Sequence, residues 1–215
     1  MIIAVDGPAA AGKGTLARRL AAHFGLAYLD TGLLYRAVGL AVLRAGGDPA
    51  DPEAAVRAAR ALDPRDLTDP ELRSDRAAGA ASKVAAIPAV RQELIKIQRN
   101  FAKHPPQGAA GAVLDGRDIG TVVCPDADIK LFVTASLPTR AQRRLKELRD
   151  RGVEAIHSRV LEDMQERDAR DRKRAVSPLV PAADAYVLDT TELDADAAFA
   201  QALDYINSRG SVKDD

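Results

Sequence analysis

Gly7-Pro8-Ala9-Ala10-Ala11-Gly12-Lys13-Gly14-Thr15 follows directly on the apolar run Ile2-Ile3-Ala4-Val5 and the single acid Asp6. A short apolar run that ends in a glycine-bounded loop reads as a buried strand feeding a tight turn, with a helix taking over near Lys13. In such a loop the backbone N–H groups converge on an anion, and Gly7 and Gly12 stand where a Cβ would obstruct the turn or the bound oxygens. Lys13 adds an ammonium for the terminal phosphates, and the helix start adds unpaired N–H groups and its positive dipole end. The stretch therefore predicts a nucleoside triphosphate site built from residues 7–15. It departs from the strict G-x4-G-K-[ST] form, because Gly14 takes the usual hydroxyl position and Thr15 comes one residue later.

Working outward, Leu16, Ala17, Leu20, Ala21 and Phe24 fall on one helical face, and Gly25 stops the helix. Residues 27–29 are a second strand candidate, delivering Asp30-Thr31-Gly32, and residues 33–45 resume helical periodicity up to Gly46-Gly47. Between 48 and 82 the prolines Pro49, Pro52, Pro64 and Pro70 and the scarcity of large apolar residues predict a small, loosely structured insert. Helical pattern returns over 82–103, with Pro88 at a first turn or a kink. Residues 112–115, 129–133 and 186–189 have the form of buried parallel strands. Helical segments at 138–151 and 153–174 lie between the last two, and residues 194–207 make a closing helix. Strands alternating with helices predict an α/β fold around a parallel sheet with right-handed crossovers.

The chain of 215 residues suits one packed unit with a small subdomain. Thirty-one basic residues balance thirty-one acidic ones, so no global field favours nucleic acid or an anionic membrane. Cys124 is the only cysteine, which excludes an internal disulfide and a cysteine-based metal cluster within one chain. His23, His104 and His157 are scattered in unrelated contexts. The start lacks a basic n-region and no 18-residue apolar stretch occurs, which predicts a cytoplasmic protein. Charge is nevertheless concentrated locally: residues 140–174 hold 12 basic and 8 acidic side chains. Such a helix is either a solvated face laced with i,i+4 pairs or a mobile element that closes over phosphate.

Three further patterns accompany the loop: Asp30-Thr31-Gly32-Leu33-Leu34-Tyr35-Arg36, Leu114-Asp115-Gly116-Arg117-Asp118-Ile119-Gly120-Thr121, and the run from Arg167-Asp168-Ala169-Arg170-Asp171 through Arg174 to Ser177-Pro178-Leu179. Together with the loop, in this order and spacing, they resemble bacterial cytidylate kinases over nearly the whole chain. The resemblance implies a phosphate-loop, doubly wound parallel sheet like that of the nucleoside monophosphate kinases, with an acceptor-binding insert and a helical lid. It implies one kinase unit over 1–215, with a core of 1–30 and 109–215, a lid at about 153–178, and an acceptor region over 31–108. It also implies transfer of the γ-phosphoryl group of ATP to CMP or dCMP, with Mg2+, by a monomer.

The site residues that the resemblance implies suit that chemistry. Ser82, Arg91 and Asp118 fall at the cytosine-reading positions: a carboxylate accepts from the exocyclic amine, while Arg and Ser donate to ring nitrogen and carbonyl. Thr31, Arg36, Arg117, Arg167, Asp171 and Arg174 fall at phosphate and sugar positions, where arginine forks suit a phosphate held in line. Lys13, Arg117 and Arg174 carry the catalytic expectation. Asp115, at a strand end, is the candidate acid for a metal-bound water, and Thr15 is a candidate for metal, phosphate or first-turn contact. Tyr35 is expected in the acceptor wall or the core. A kinase of another small acceptor, or a nucleotide-dependent switch, uses the same loop; neither Asn100 nor Asn207 opens an Asn-Lys-x-Asp guanine-reading pattern.

Overall fold

The computed structural model of the protein describes residues 1–63, 67–174 and 176–210; Pro64 and Ala175 lie outside the described residues. Strands β1 (Ile2–Asp6), β2 (Ala27–Asp30), β3 (Ala112–Gly116), β4 (Ile129–Thr134) and β5 (Tyr186–Asp189) form one parallel sheet, in the order β2-β3-β1-β4-β5. The chain runs from β1 to one side of the sheet, and crosses β1 to the other side between β3 and β4. That crossing is the switch point at whose carboxyl edge open α/β sheets bind ligands. Register brings Asp30 opposite Asp115 and Asp6 opposite Gly116, so three strand-end carboxylates gather on that edge.

Both faces of the sheet are buried. Ile3, Val5, Leu131, Val133 and Leu188 pack on helices α1 (Lys13–Phe24) and α8 (Ala195–Gly210) through Leu16, Leu20 and Ala202. Ala4, Leu29, Ala112 and Leu114 face the other way, onto α2 (Thr31–Arg44) and α5 (Pro88–Lys103), through Leu34, Val38, Val90 and Leu94. A separate small core of Ala141, Leu145, Leu148, Val160 and Met164 joins α6 (Leu137–Asp150) to α7 (His157–Lys173). No helix among the described residues is long and apolar enough to cross a membrane.

The expectation of a loosely structured stretch over 48–82 is corrected by α3 (Pro52–Arg60), a short 3-10 turn (Pro70–Arg73) and α4 (Asp75–Val84). Pro52 and Pro70 open helices rather than break them. Asp51 accepts from Glu53 N and Asp69 from Glu71 N, each one residue before a first-turn proline, and Ser74 accepts from Ala77 N. A proline at that position gives up an N–H that had no partner in any case. Pro88 likewise opens α5, so the helical stretch expected over 82–103 is two helices, and α2 begins at Thr31, capped by Asp30.

Helices α2 and α4 meet at Gly39, where a Cβ would lie 2.7 Å from Ala80 Cβ and 2.9 Å from its carbonyl carbon. Gly39→Ala will therefore force the two helices apart and lower stability by about 1–3 kcal/mol, as read by chemical denaturation.

Candidate active site

The loop predicted over 7–15 joins β1 to α1, and its glycines are needed for two different reasons. At Gly7 (φ 147°) a Cβ would sit 2.0 Å from the Val133 carbonyl oxygen of β4, so the backbone passes where no side chain fits. At Gly12 (φ 87°) there is open space, and the left-handed backbone itself favours glycine. Ala10 takes the same left-handed region, with φ 59°. Helix α1 begins at Lys13 with no side-chain cap and no acid in its first turn. Its first N–H groups are thereby left to an anion.

Lys13 Nζ lies 3.3 Å from Asp115 Oδ1 at the end of β3. Burial lowers the Lys13 ammonium from its ordinary range and raises the Asp115 carboxyl, while each opposes the other's shift. Tyr28, whose phenol is pushed up by burial, donates to Asp115 Oδ2 at 3.3 Å. This carboxylate also accounts for Gly14, since a Cβ there would lie 3.0 Å from Asp115 Oδ2. A hydroxyl residue directly after Lys13 would crowd the acid that pairs with it. Thr15 instead lines a cavity of about 220 Å³ beside the loop, with Ala11, Gly12, Arg143, Thr190 and Leu193. Arg143 donates to Thr190 Oγ1 at 2.9 Å and to the Thr190 and Leu193 carbonyls, and Thr190 donates to the Ala11 carbonyl at 3.0 Å. Ala11, Gly12 and Thr15 belong to the loop predicted over 7–15, whereas Arg143, Thr190 and Leu193 carry no signal in the sequence.

On the other side of the strand ends lies a second, arginine-rich site. Arg91 of α5 is ion-paired with Asp118, both almost fully buried, with the guanidinium 5.5 Å from the Tyr35 ring centroid. Ser82 Oγ and Arg91 Nε are buried with no partner. Ser82 is thus an interior residue of α4, not a cap, and Arg91 is not an exposed helical charge. Two orphaned buried polar atoms, one of them on the guanidinium that pairs with Asp118, are costly unless a ligand completes them.

Asp171 of α7 accepts from Arg117 Nε at 3.1 Å and from Arg174. Burial alone would raise its carboxyl, but Arg117, then Arg174 and Arg167, hold it below the usual range. Arg167 lies in the same cluster with Nε unpartnered, and burial, then Arg117, pushes it down to about 10. Burial likewise lowers Arg174 and Arg36. Arg36 donates to the Leu72 carbonyl at 2.8 Å. Arg167, Asp171 and Arg174 recur every three to four residues, so they share the inner side of the chain at the end of α7. The basic segment is therefore not only a solvated face: Glu166 and Arg170 make an exposed pair at 3.8 Å, whereas this row is turned inward. Arg167 and Asp171 do not simply pair with each other at the surface. Thr31 donates to the Asp115 carbonyl at 2.8 Å, tying α2 to β3.

Two buried contacts were missed by sequence reasoning. Arg140 forks onto Asp168 (3.2 and 2.6 Å) and donates to the Ala9 carbonyl at 3.3 Å, linking α6, α7 and the loop. Asp6 accepts from Ile119 N and Gly120 N, both at 2.8 Å. Burial pushes the Asp6 carboxyl up to about 7, against an ordinary 3.8. A raised folded value means a contribution to stability that is complete below the unfolded pKa and is lost as pH rises through about 7. Wild type should thus lose on the order of 4 kcal/mol relative to Asp6→Asn between about pH 4 and about pH 8, in paired urea titrations.

The glycine loop with Lys13 and the arginine-rich cluster meet at one sheet edge. The family model described as cytidylate kinase matches residues 3–208. A cytidylate kinase of Paramagnetospirillum magneticum is 67% identical over 208 residues, covering 97% of this chain and 98% of that one. A cytidylate kinase of Rhodospirillum rubrum is 63% identical over 206 residues, covering 96% and 97%. Among solved structures, an uncharacterized protein from Eubacterium ventriosum matches with a TM-score of 0.56 at 17% identity, covering 97% of this chain and 99% of that one, a likeness of fold alone.

Proposed function

Because the chain belongs to the cytidylate kinase family, we propose that it transfers the γ-phosphoryl group of ATP to CMP or dCMP, with the base read by Ser82, Arg91 and Asp118. The observation that supports this assignment most is the buried Arg91–Asp118 pair, in which Arg91 Nε is left without a partner, together with the buried and unpartnered Ser82 Oγ. The cytosine edge supplies what the three side chains lack. Its amine donates to Asp118, and its ring nitrogen and carbonyl accept from Arg91 and Ser82. Uracil turns a carbonyl toward the same carboxylate.

The reaction needs position and charge more than a protein base. A phosphate oxygen of CMP forms the new bond to the γ-phosphorus as the bond to the β-phosphate bridging oxygen breaks, and ADP leaves with that electron pair. CMP phosphate is ionised at neutral pH, so no side chain must remove a proton. The loop amides and Lys13 hold the donor phosphates, and the cavity between Thr15 and Thr190 suits the donor nucleoside. Arg36, Arg117 and Arg174 hold the acceptor phosphate, with Arg117 and Arg174 left to follow the charge of the transferring group. Arg167 and Asp171 take the sugar side.

The hard oxygen donors at the strand ends fit Mg2+, which keeps several waters and rests mainly on substrate phosphates. Asp115, through water, and Thr15 are the residues that would hold it, and the ion would neutralise charge on the donor phosphates.

Segment 31–108 serves as the acceptor region, and the stretch from about 153 to 178, which contains α7, serves as the lid. Arg144, ion-paired with Asp75, and Arg151, bonded to the Arg73 carbonyl at 3.1 Å, already join α6 to the acceptor region. We further assign the protein to the cytoplasm as a monomer acting on small molecules, in keeping with its balanced charge and lone buried cysteine.

The test is a nucleotide panel with purified protein, Mg2+ and ATP. CMP and dCMP should be converted far faster than UMP, AMP or GMP, and equal rates on all five would overturn the pocket assignment.

A further inference from the structure

Asp118 is the last residue before a single π-helical turn, Ile119–Val123, and that turn is fixed at both ends by residues that touch no proposed substrate atom. Its own bonds run from Val122 N and Val123 N to the Asp118 carbonyl (2.9 and 3.1 Å) and from Cys124 N to the Ile119 carbonyl (2.7 Å). This leaves the opening amides, Ile119 N and Gly120 N, without a partner inside the turn. The two carboxylate oxygens of Asp6 take them, one each, from the end of β1. At the far end the Val122 and Val123 carbonyls accept from Arg99, through Nη2 at 2.8 Å and Nε at 2.9 Å. A carboxylate on the amide end and a guanidinium on the carbonyl end also match the dipole of the turn.

The clamp bears directly on the base-reading pair. Arg99 stands two turns along α5 from Arg91, so one helix both pairs with the Asp118 carboxylate and holds the far end of the turn that carries it. Gly120 allows the close approach: a Cβ there would come within 3.2 Å of Lys130 Cδ and 3.5 Å of Asp6 Oδ2. Single π-helical turns within a chain tend to mark functional sites.

We infer that Asp6 and Arg99 are positioning residues for substrate choice, holding the Ile119–Val123 turn so that the Asp118 carboxylate meets the cytosine amine. The inference rests on the assignment of Asp118 to the base. Pyrimidine discrimination then depends on a residue next to the donor loop and on one at the exposed side of α5.

Steady-state kinetics of Arg99→Ala, Arg99→Lys, Asp6→Asn and Asp118→Asn, with CMP, UMP and ATP varied in turn, test it. Arg99 is exposed, so its variants keep the fold even where Asp6→Asn does not. Arg99→Ala should raise KM for CMP about tenfold, the equivalent of one charge-assisted hydrogen bond, and narrow the CMP-to-UMP preference with it. KM for ATP and kcat should stay within about twofold, Arg99→Lys should recover part of the preference, and Asp6→Asn should move in the same direction. An unchanged preference in Arg99→Ala, while Asp118→Asn loses it, overturns the inference and leaves the site assignment standing. An equal rise in KM for both substrates assigns Arg99 a general structural role and also overturns it. If Asp118→Asn itself retains full preference, the site assignment falls and takes the inference with it.

Discussion

Lys13→Met is expected to lower kcat by roughly a thousandfold, because the proposed donor-phosphate site loses its fixed positive charge. The same substitution strips Asp115 of the partner 3.3 Å away and leaves a buried carboxylate beside Asp30. Breaking a buried ion pair from one side typically costs about 3–5 kcal/mol. Asp115 can take up a proton instead, since burial already raises its carboxyl. Raised folded value, stability present at low pH and lost on the way up: the penalty in Lys13→Met should be smallest in acid and grow as pH rises through that value. Lys13→Met/Asp115→Asn removes the stranded charge. It should regain most of the lost stability in denaturant titrations while its turnover stays as low as that of the single variant. Recovery of turnover with stability would show that Lys13 acts through the fold and not on phosphate.

The second large effect concerns substrate choice. In Asp118→Asn the side chain keeps its shape and the Arg91 guanidinium keeps an oxygen to bond, but an amide N–H₂ replaces one acceptor. Cytosine then meets a donor where it needs an acceptor, while uracil gains a partner for its carbonyl. Each such contact is worth about 1–3 kcal/mol of discrimination, so the CMP-to-UMP ratio of kcat/KM should fall by roughly ten- to a hundredfold. KM for ATP should hold. A variant that loses activity on both pyrimidines equally would point to Asp118 as a support for Arg91 rather than a reader of the base.

Much of the framework could be read from residues alone. The runs Ile2–Asp6, Ala112–Gly116 and Ile129–Thr134 are mostly apolar because both faces of the sheet are covered, and the glycine loop announced its own strand–turn–helix setting. The acceptor region was less legible. Its prolines looked like breakers, although Asp51-Pro52 and Asp69-Pro70 are helix-opening pairs in which the acid caps and the proline fills the first turn. Large apolar residues are scarce there because Gly39 and Ala80 pack α2 and α4 at close range, and small residues give no periodic signal.

At the site, residue types were informative and partners were not. Gly14 was visibly irregular, yet its cause is Asp115, about a hundred residues away and brought near only by strand order. Asp6 reads as an ordinary strand-end acid until β1 and β3 are placed side by side, which sets it against the amides of Ile119 and Gly120. The excess of arginine over 140–174 was plain, but not its division. Arg140 turns to Asp168, Arg143 to Thr190, and Arg167 and Arg174 to the cluster around Asp171.

A crystal structure with CMP bound would show where the base and the phosphate sit. The cytosine amine should lie within hydrogen-bond reach of Asp118, with the orphaned Ser82 Oγ and Arg91 Nε satisfied by the base, the phosphate enclosed by Arg36, Arg117 and Arg174, and the sugar held by Arg167 and Asp171. CMP seated instead between Thr15 and Thr190, or a base that leaves Asp118 untouched, would contradict the site assignment.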